Sequence, residues 1–158
     1  MKPMGCRWAY KTKRNPNGRI RYKARIVIKG YEQIHGVDFD EIYASVGKLF
    51  NQRYLLSFAA QNNYKIDHRD VVTALLHPEI DTEIYMQLPE GIEWLESTAM
   101  LGGNLDCILR LSNALYGLRQ APRLWHQEID GFLQSIGFHR SRADISLYIR
   151  NDGVLLLL

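Results

Sequence analysis

The sequence is short of thiols and has no long apolar run, and each shortage closes off a class of protein. Its two cysteines, Cys6 and Cys107, stand alone and far apart, so there is no disulfide framework or zinc ribbon to read. A reducing intracellular compartment, cytoplasmic or nuclear, is the expectation. The one extended apolar stretch, residues 154–158, is far too short to span a bilayer. The N-terminus is basic and carries no secretory apolar segment. No P-loop, dinucleotide fingerprint or nucleophile elbow occurs. None of the five histidines stands at zinc-helix spacing. Acidic residues are missing altogether from residues 1–31.

What is present fits a soluble globular domain of 158 residues, with 46% hydrophobic and 23% charged residues. The formal net charge of +3 hides a division. Residues 1–31 hold ten Lys and Arg with no acid, while residues 32–158 hold ten basic and seventeen acidic residues, a local net of −7. Such asymmetry implies a polyanion-binding segment joined to an acidic body. Gly102-Gly103-Asn104 reads as a loop, and no repeat or linker divides the chain.

Residues 8–14 and 19–29 predict two strands around Asn15-Pro16-Asn17-Gly18, a type I turn with Pro at its second position and Gly at its fourth. In the second strand Arg19, Arg21, Lys23 and Arg25 alternate with Ile20, Tyr22, Ala24 and Ile26. A strand repeats every two residues, so the four cations share one face and the apolar face is expected on a core. Residues 49–62 predict a helix, and residues 64–72, 83–88 and 107–111 predict strands. Pro122 opens a second helix whose stripe, Leu124, Trp125, Ile129, Phe132, Leu133 and Ile136, is expected in the core, with Gly137 as its stop. Residues 145–150, Asn151-Asp152-Gly153 and residues 154–158 predict a second hairpin. The order implies an α+β fold with a largely antiparallel sheet.

The cationic strand face suits a phosphate backbone, because cations at strand spacing can follow a polyanion and release its counterions. A solvated face kept basic for solubility is the competing reading. The absence of acids around it favours nucleic acid or a nucleoside triphosphate. Asp70, at the end of a predicted strand, has the chemistry to hold Mg²⁺, but such a residue alone is more often a cap. The string Leu115-Tyr116-Gly117-Leu118-Arg119-Gln120-Ala121-Pro122-Arg123-Leu124-Trp125 offers a glycine for close backbone approach to a ligand and two arginines flanking a helix N-terminus, and its composition alone does not choose a role over a plain loop entering a helix.

Taken together, these strings resemble the copia-type (Ty1/copia) retrotransposon reverse transcriptase domain over nearly the whole chain. Lys2-Pro3, Asn17-Gly18, Tyr22-Lys23-Ala24-Arg25 and Lys29-Gly30-Tyr31 are similar to its opening hairpin. Asp70-Val71 with Thr73-Ala74-Leu75-Leu76 is similar to its first catalytic motif. Leu115 to Leu118 with Gln120 to Arg123 and Trp125 is the most specific match, and Gly137-Phe138 and Ala143-Asp144 with Ser146-Leu147-Tyr148 complete it.

The resemblance implies the fingers (about residues 1–48) and the remaining fingers with part of the palm (about 49–158) of a right-hand polymerase. It also implies two Mg²⁺ ions, a primer with an RNA or DNA template, deoxynucleoside triphosphates, and the rest of a retrotransposon polyprotein. By that resemblance Asp70 supplies a catalytic carboxylate and Val71 a backbone carbonyl to the metal. Lys23, Arg25, Leu75, Tyr116, Gly117 and Arg119 contact nucleotide or template, and Arg19 and Arg21 contact the nucleic-acid backbone. The family's Tyr-x-Asp-Asp turn follows an apolar strand, and residues 154–158 end this chain at such a strand. Leu75 stands where an aromatic normally packs beneath the sugar, and Ser45 stands for a usual Pro. The expectation is therefore a fragment inactive by itself, truncated at both ends. The rivals are a non-catalytic nucleic-acid-binding remnant and an inert degenerate copy. A metal-dependent nuclease is a poor fit, since only Asp67 lies near Asp70 as a second acid.

Overall fold

The computed structural model describes residues 2–92, 107–153 and 155–157. The expected loop at residues 102–104 and both ends of the last expected strand, Val154 and Leu158, lie outside them. In chain order the elements are β1 (Cys6–Arg14), β2 (Ile20–Ile28), α1 (Leu49–Gln61), β3 (Tyr85–Gln87), β4 (Ile108–Arg110), α2 (Ala121–Ser135), β5 (Phe138–Arg140), β6 (Leu147–Arg150) and β7 (Leu155–Leu157). Every ladder between these strands is antiparallel. The fold is α+β, as expected, but the strands form three small sheets, β1-β2, β3-β4 and β5-β6-β7, and not one. The chain divides into two compact units, Met1–Ile42 with Leu75–Leu124, and Tyr43–Ala74 with Trp125–Leu158. Among the described residues no helix is long and apolar enough to cross a membrane.

The first unit is built on the β1-β2 hairpin. Its turn closes as Gly18 N–H donates to the Asn15 carbonyl at 2.9 Å and Asn15 N–H to the Arg19 carbonyl at 2.9 Å. Gly18 takes φ +79°, a conformation that only glycine adopts without steric cost. The base of the hairpin is anchored: Met4 N–H donates to the Tyr85 carbonyl and Gln87 N–H to the Met4 carbonyl, both at 2.9 Å. Met4, Ile28, Ile84, Met86, Ala114, Leu118, Ala121 and Leu124 form the core around that base. The expectation that the whole apolar face of β2 lies on a core is corrected. Ile26 and Ile28 reach it, whereas Tyr22 is 79% exposed and Ile20 half exposed. Nine residue pairs at about 3.4 Å each make a ribbon of about 30 Å, longer than the core beneath it.

In the second unit α2 packs Leu133, with Ile129 beside it, against Phe138 of β5 and Tyr148 of β6. Gly137, at φ +87°, ends the helix as expected. The expected six-residue stripe is only partly covered, because Phe132 is 57% exposed and Ile136 is exposed as well. Phe138–Arg140 forms a strand that its sequence did not announce. The reverse holds for residues 64–72, which form no strand. Alternation prepares a strand, but hydrogen bonds to a neighbour make one, and this segment pairs with no strand among the described residues. Helix α1 forms where predicted, yet buries none of its residues.

Candidate nucleic-acid interface

In an antiparallel ladder, residues directly opposite each other share a face. The register pairs Lys11 with Lys23, Lys13 with Arg21, Ala9 with Arg25 and Arg7 with Val27. One face of the hairpin therefore carries six cations, Arg7, Lys11 and Lys13 from β1 and Arg21, Lys23 and Arg25 from β2. The three from β1 alternate with Trp8, Tyr10 and Thr12, the same sequence signal that marks the cations of β2. Like charges directly opposite each other destabilise a ladder, and two such pairs, Lys11 with Lys23 and Lys13 with Arg21, follow one another here. Arg19 stands apart in the turn, its N–H donating to Asn17 Oδ1 at 3.2 Å. Arg25 lies over the Tyr116 ring, 5.0 Å from its centroid.

That contact ties the cationic face to the loop before α2, the most specific string of the sequence. Ile28 N–H donates to the Tyr116 carbonyl at 2.8 Å. Gly117 then crosses the end of β2 at φ +101°, where a β-carbon would stand 2.1 Å from the Ile28 carbonyl oxygen. The close approach at Gly117, expected toward a ligand, is made here by the protein's own backbone. Arg119 Nε donates to the Gly30 carbonyl at 3.0 Å, and its guanidinium lies over Phe39. Below it, buried Gln33 donates to buried Gln120 at 2.9 Å, and Gln120 donates to the Asp38 carbonyl at 2.9 Å. Arg123 Nε donates to the Glu41 carbonyl at 2.9 Å and pairs with Asp81. The string is a clasp that fixes residues 28–41 at the foot of the hairpin. Leu75 packs partly buried against the same core.

Asp70 and Val71 belong to the second unit and lie on the exposed segment 64–72, which joins no strand among the described residues. Asp67 is engaged there by Lys65 at 3.5 Å and Arg69 at 4.0 Å. Just beyond, Thr73 takes φ +54°, a left-handed conformation costing a β-branched residue about 1–3 kcal/mol. Mg²⁺ requires near-octahedral oxygen ligands and gives up its waters reluctantly. Among the described residues no group of three or more acidic, His or Cys side chains is placed to hold a metal. One exposed carboxylate with one carbonyl does not fit a two-ion site, so no chemical step is assigned to metal here.

The family model for reverse transcriptase (RNA-dependent DNA polymerase) matches residues 1–158. The chain belongs to that reverse transcriptase family. It is 38% identical over 99% of its length to the retrovirus-related Pol polyprotein from transposon TNT 1-94 of Nicotiana tabacum, of which it spans 12%. It is 38% and 37% identical over 95% of its length to the corresponding polyproteins from transposons RE1 and RE2 of Arabidopsis thaliana, spanning 10% of each. These copia-type relatives identify it as a reverse transcriptase domain of retrotransposon Pol polyproteins. No solved structure matches it.

The second unit of this reverse transcriptase domain holds a polar network that the sequence did not reveal. Buried Asp130 accepts hydrogen bonds from Tyr148 Oη at 2.8 Å, Gln134 Nε2 at 2.7 Å and Arg140 Nε. Burial pushes the Asp130 carboxyl up, but bonds from Arg140, Gln134 and Tyr148 outweigh it and hold the group below the usual carboxylate range. Asp144, in the Ala143-Asp144 block, is held low by the Ser146 N–H at 2.9 Å and by Asn51. Ser45, standing for the family's usual Pro, shares a 2.6 Å hydrogen bond with fully buried Ser146. His126 is held below its ordinary value first by burial and then by the charge of Arg140, and its Nε2 has no hydrogen-bond partner.

Proposed function

We propose that this chain forms the fingers and part of the palm of an RNA-directed DNA polymerase, and that its own contribution is to grip the backbone of a primer–template. The observation that carries this is the six-cation face with its stacked like-charged pairs. Repulsion built into a ladder is relieved when phosphates lie between the cations. In this reading Arg25 and Tyr116 present one edge of the grip, while Lys23 and Arg119 serve template or triphosphate. Leu75 limits discrimination between deoxy- and ribonucleotides. The deoxynucleotides, the Mg²⁺ ions and the remaining palm belong to the polyprotein context that the relatives' names imply, inside the cell. A purely nucleic-acid-binding role is the second reading, favoured by the single exposed carboxylate at Asp70. The test is the affinity of the 158-residue chain for a primer–template as salt is raised. Each phosphate contact contributes a log–log slope of roughly −0.9 on duplex DNA. Replacing Arg21, Lys23 and Arg25 by Gln should flatten the slope by about 2–3, and replacing Arg7, Lys11 and Lys13 should do the same. Arg69→Gln should leave it alone. An unchanged slope in both triple variants places the grip elsewhere.

A further inference from the structure

The other face of the hairpin is aromatic and open. Trp8, Tyr10, Thr12, Tyr22, Ala24 and Ile26 share it by register. Tyr10 is 76% and Tyr22 79% exposed, and no function assigned so far uses either. Trp8 is held in place, its Nε1 donating to the Glu90 carbonyl at 2.7 Å. Tyr10 lies nearly parallel to it, with planes 16° apart and centroids at 6.3 Å.

Tyr10 pairs with Ala24 and Tyr22 with Thr12, so the two tyrosines are diagonal neighbours. Diagonal positions on one face stand about 7–8 Å apart. Stacked bases are separated by about 3.4 Å, so a planar ring held between two others needs about twice that. The two residues between the tyrosines are small, and the result is an open concavity of about 280 Å³ lined by Tyr10, Lys11, Thr12, Tyr22, Lys23 and Ala24. Its walls are aromatic and its floor is Thr12 and Ala24, while Lys11 and Lys23, which also line it, belong by register to the opposite, cationic face.

We infer that this concavity is a stacking slot for an unpaired nucleobase, so that the hairpin binds single-stranded nucleic acid through its bases as well as its phosphates. Every base has a π-face, so such a slot tolerates any sequence, and the phosphates of the strand that carries the base answer to the cations of the opposite face. The inference rests on the polyanion reading above and gives it a substrate form. Duplex has no free base to offer the slot, whereas a single strand does.

The test is fluorescence anisotropy of the intact 158-residue chain with labelled oligothymidylate, twelve nucleotides long by design, against an abasic backbone of the same length. Stacking on one aromatic residue corresponds to about five- to hundredfold in affinity. The wild-type chain should prefer the base-bearing strand by at least the lower figure. Tyr10→Ala with Tyr22→Ala should abolish that preference without changing the salt slope, and the two Tyr→Phe changes should keep it. Circular dichroism checks that these exposed substitutions leave the fold intact. Equal binding of the two strands by the wild type overturns the slot, as does a preference that survives the alanine pair. Either result, with the slope still flattened by Arg21, Lys23 and Arg25→Gln, sinks the slot and leaves the polyanion reading standing. A slope untouched by the Gln variants removes the reading on which the slot rests. Dimers that dissolve in the alanine variant, with no base preference, assign the face to a second copy of the chain and overturn the slot.

Discussion

Gly30 and Gly117 lie where the exit of β2 crosses the loop before α2, and neither has room for a side chain. A β-carbon on Gly30 would stand 1.9 Å from the Gly117 carbonyl oxygen. One on Gly117 would meet the Ile28 carbonyl at 2.1 Å, at a φ of +101°. Both strain and overlap oppose Gly117→Ala, which should cost about 2–5 kcal/mol in denaturant unfolding. Gly18→Ala is the control, since its φ is +79° but nothing lies within 4 Å, and about 1–2 kcal/mol is expected. Equal costs would mean that the crossing has slack. The string around Gly117 was conspicuous in the sequence, where its glycine suggested room for a ligand, and the group that approaches it in the structure is the Ile28 backbone. That group was not legible, because Ile28 and Gly117 lie far apart in the chain.

Helix α2 shows how an element's period overstates its burial. Its apolar positions form one stripe, but β5 and β6 cover only the Leu133 and Ile129 side. Leu133→Ala should therefore cost about 2–5 kcal/mol, whereas Phe132→Ala, at 57% exposure, should stay within about 1 kcal/mol. Urea unfolding of both variants checks this, and similar losses would show that the outer side is covered after all. The same helix presents Asp130 to Arg140 and Tyr148, and the sign of its pH effect follows from its depressed pKa. A carboxyl held below its unfolded value of about 3.9 contributes stability that is present above that value and is lost as pH falls through the folded one. The stability gap between wild type and Asp130→Asn should shrink as pH is lowered from 7 toward 2. A gap independent of pH would show that the carboxylate's charge contributes nothing to the network.

At the scale of the whole molecule, the cationic face and Asp70 belong to different units. Six cations share one face of the β1-β2 hairpin in the first unit, while Asp70 lies on a segment of the second that joins no strand among the described residues. The 158-residue chain is expected not to extend a primer with Mg²⁺ or Mn²⁺. Metal stabilisation of the transferring phosphate contributes several kcal/mol, so its loss means roughly a thousandfold or more in rate. Primer extension with Asp70→Asn as control tests this. Extension that disappears in the Asn variant would show a complete site in this chain and overturn the expectation.

Turn chemistry, strand alternation and charge are local, and they were enough to place the β1-β2 hairpin, its glycine turn, its cationic side, both helices and the family resemblance in the sequence itself. Tertiary structure alone decided the register that sets Arg7, Lys11 and Lys13 beside the cations of β2, that the core stops short of Tyr10 and Tyr22, and that Phe132 lies outside. It also decided that residues 138–140 become a strand while residues 64–72 do not. A segment's period states which face it can bury. Whether a neighbour arrives to bury that face or to accept its hydrogen bonds depends on a second segment, and no pattern within the first contains that information.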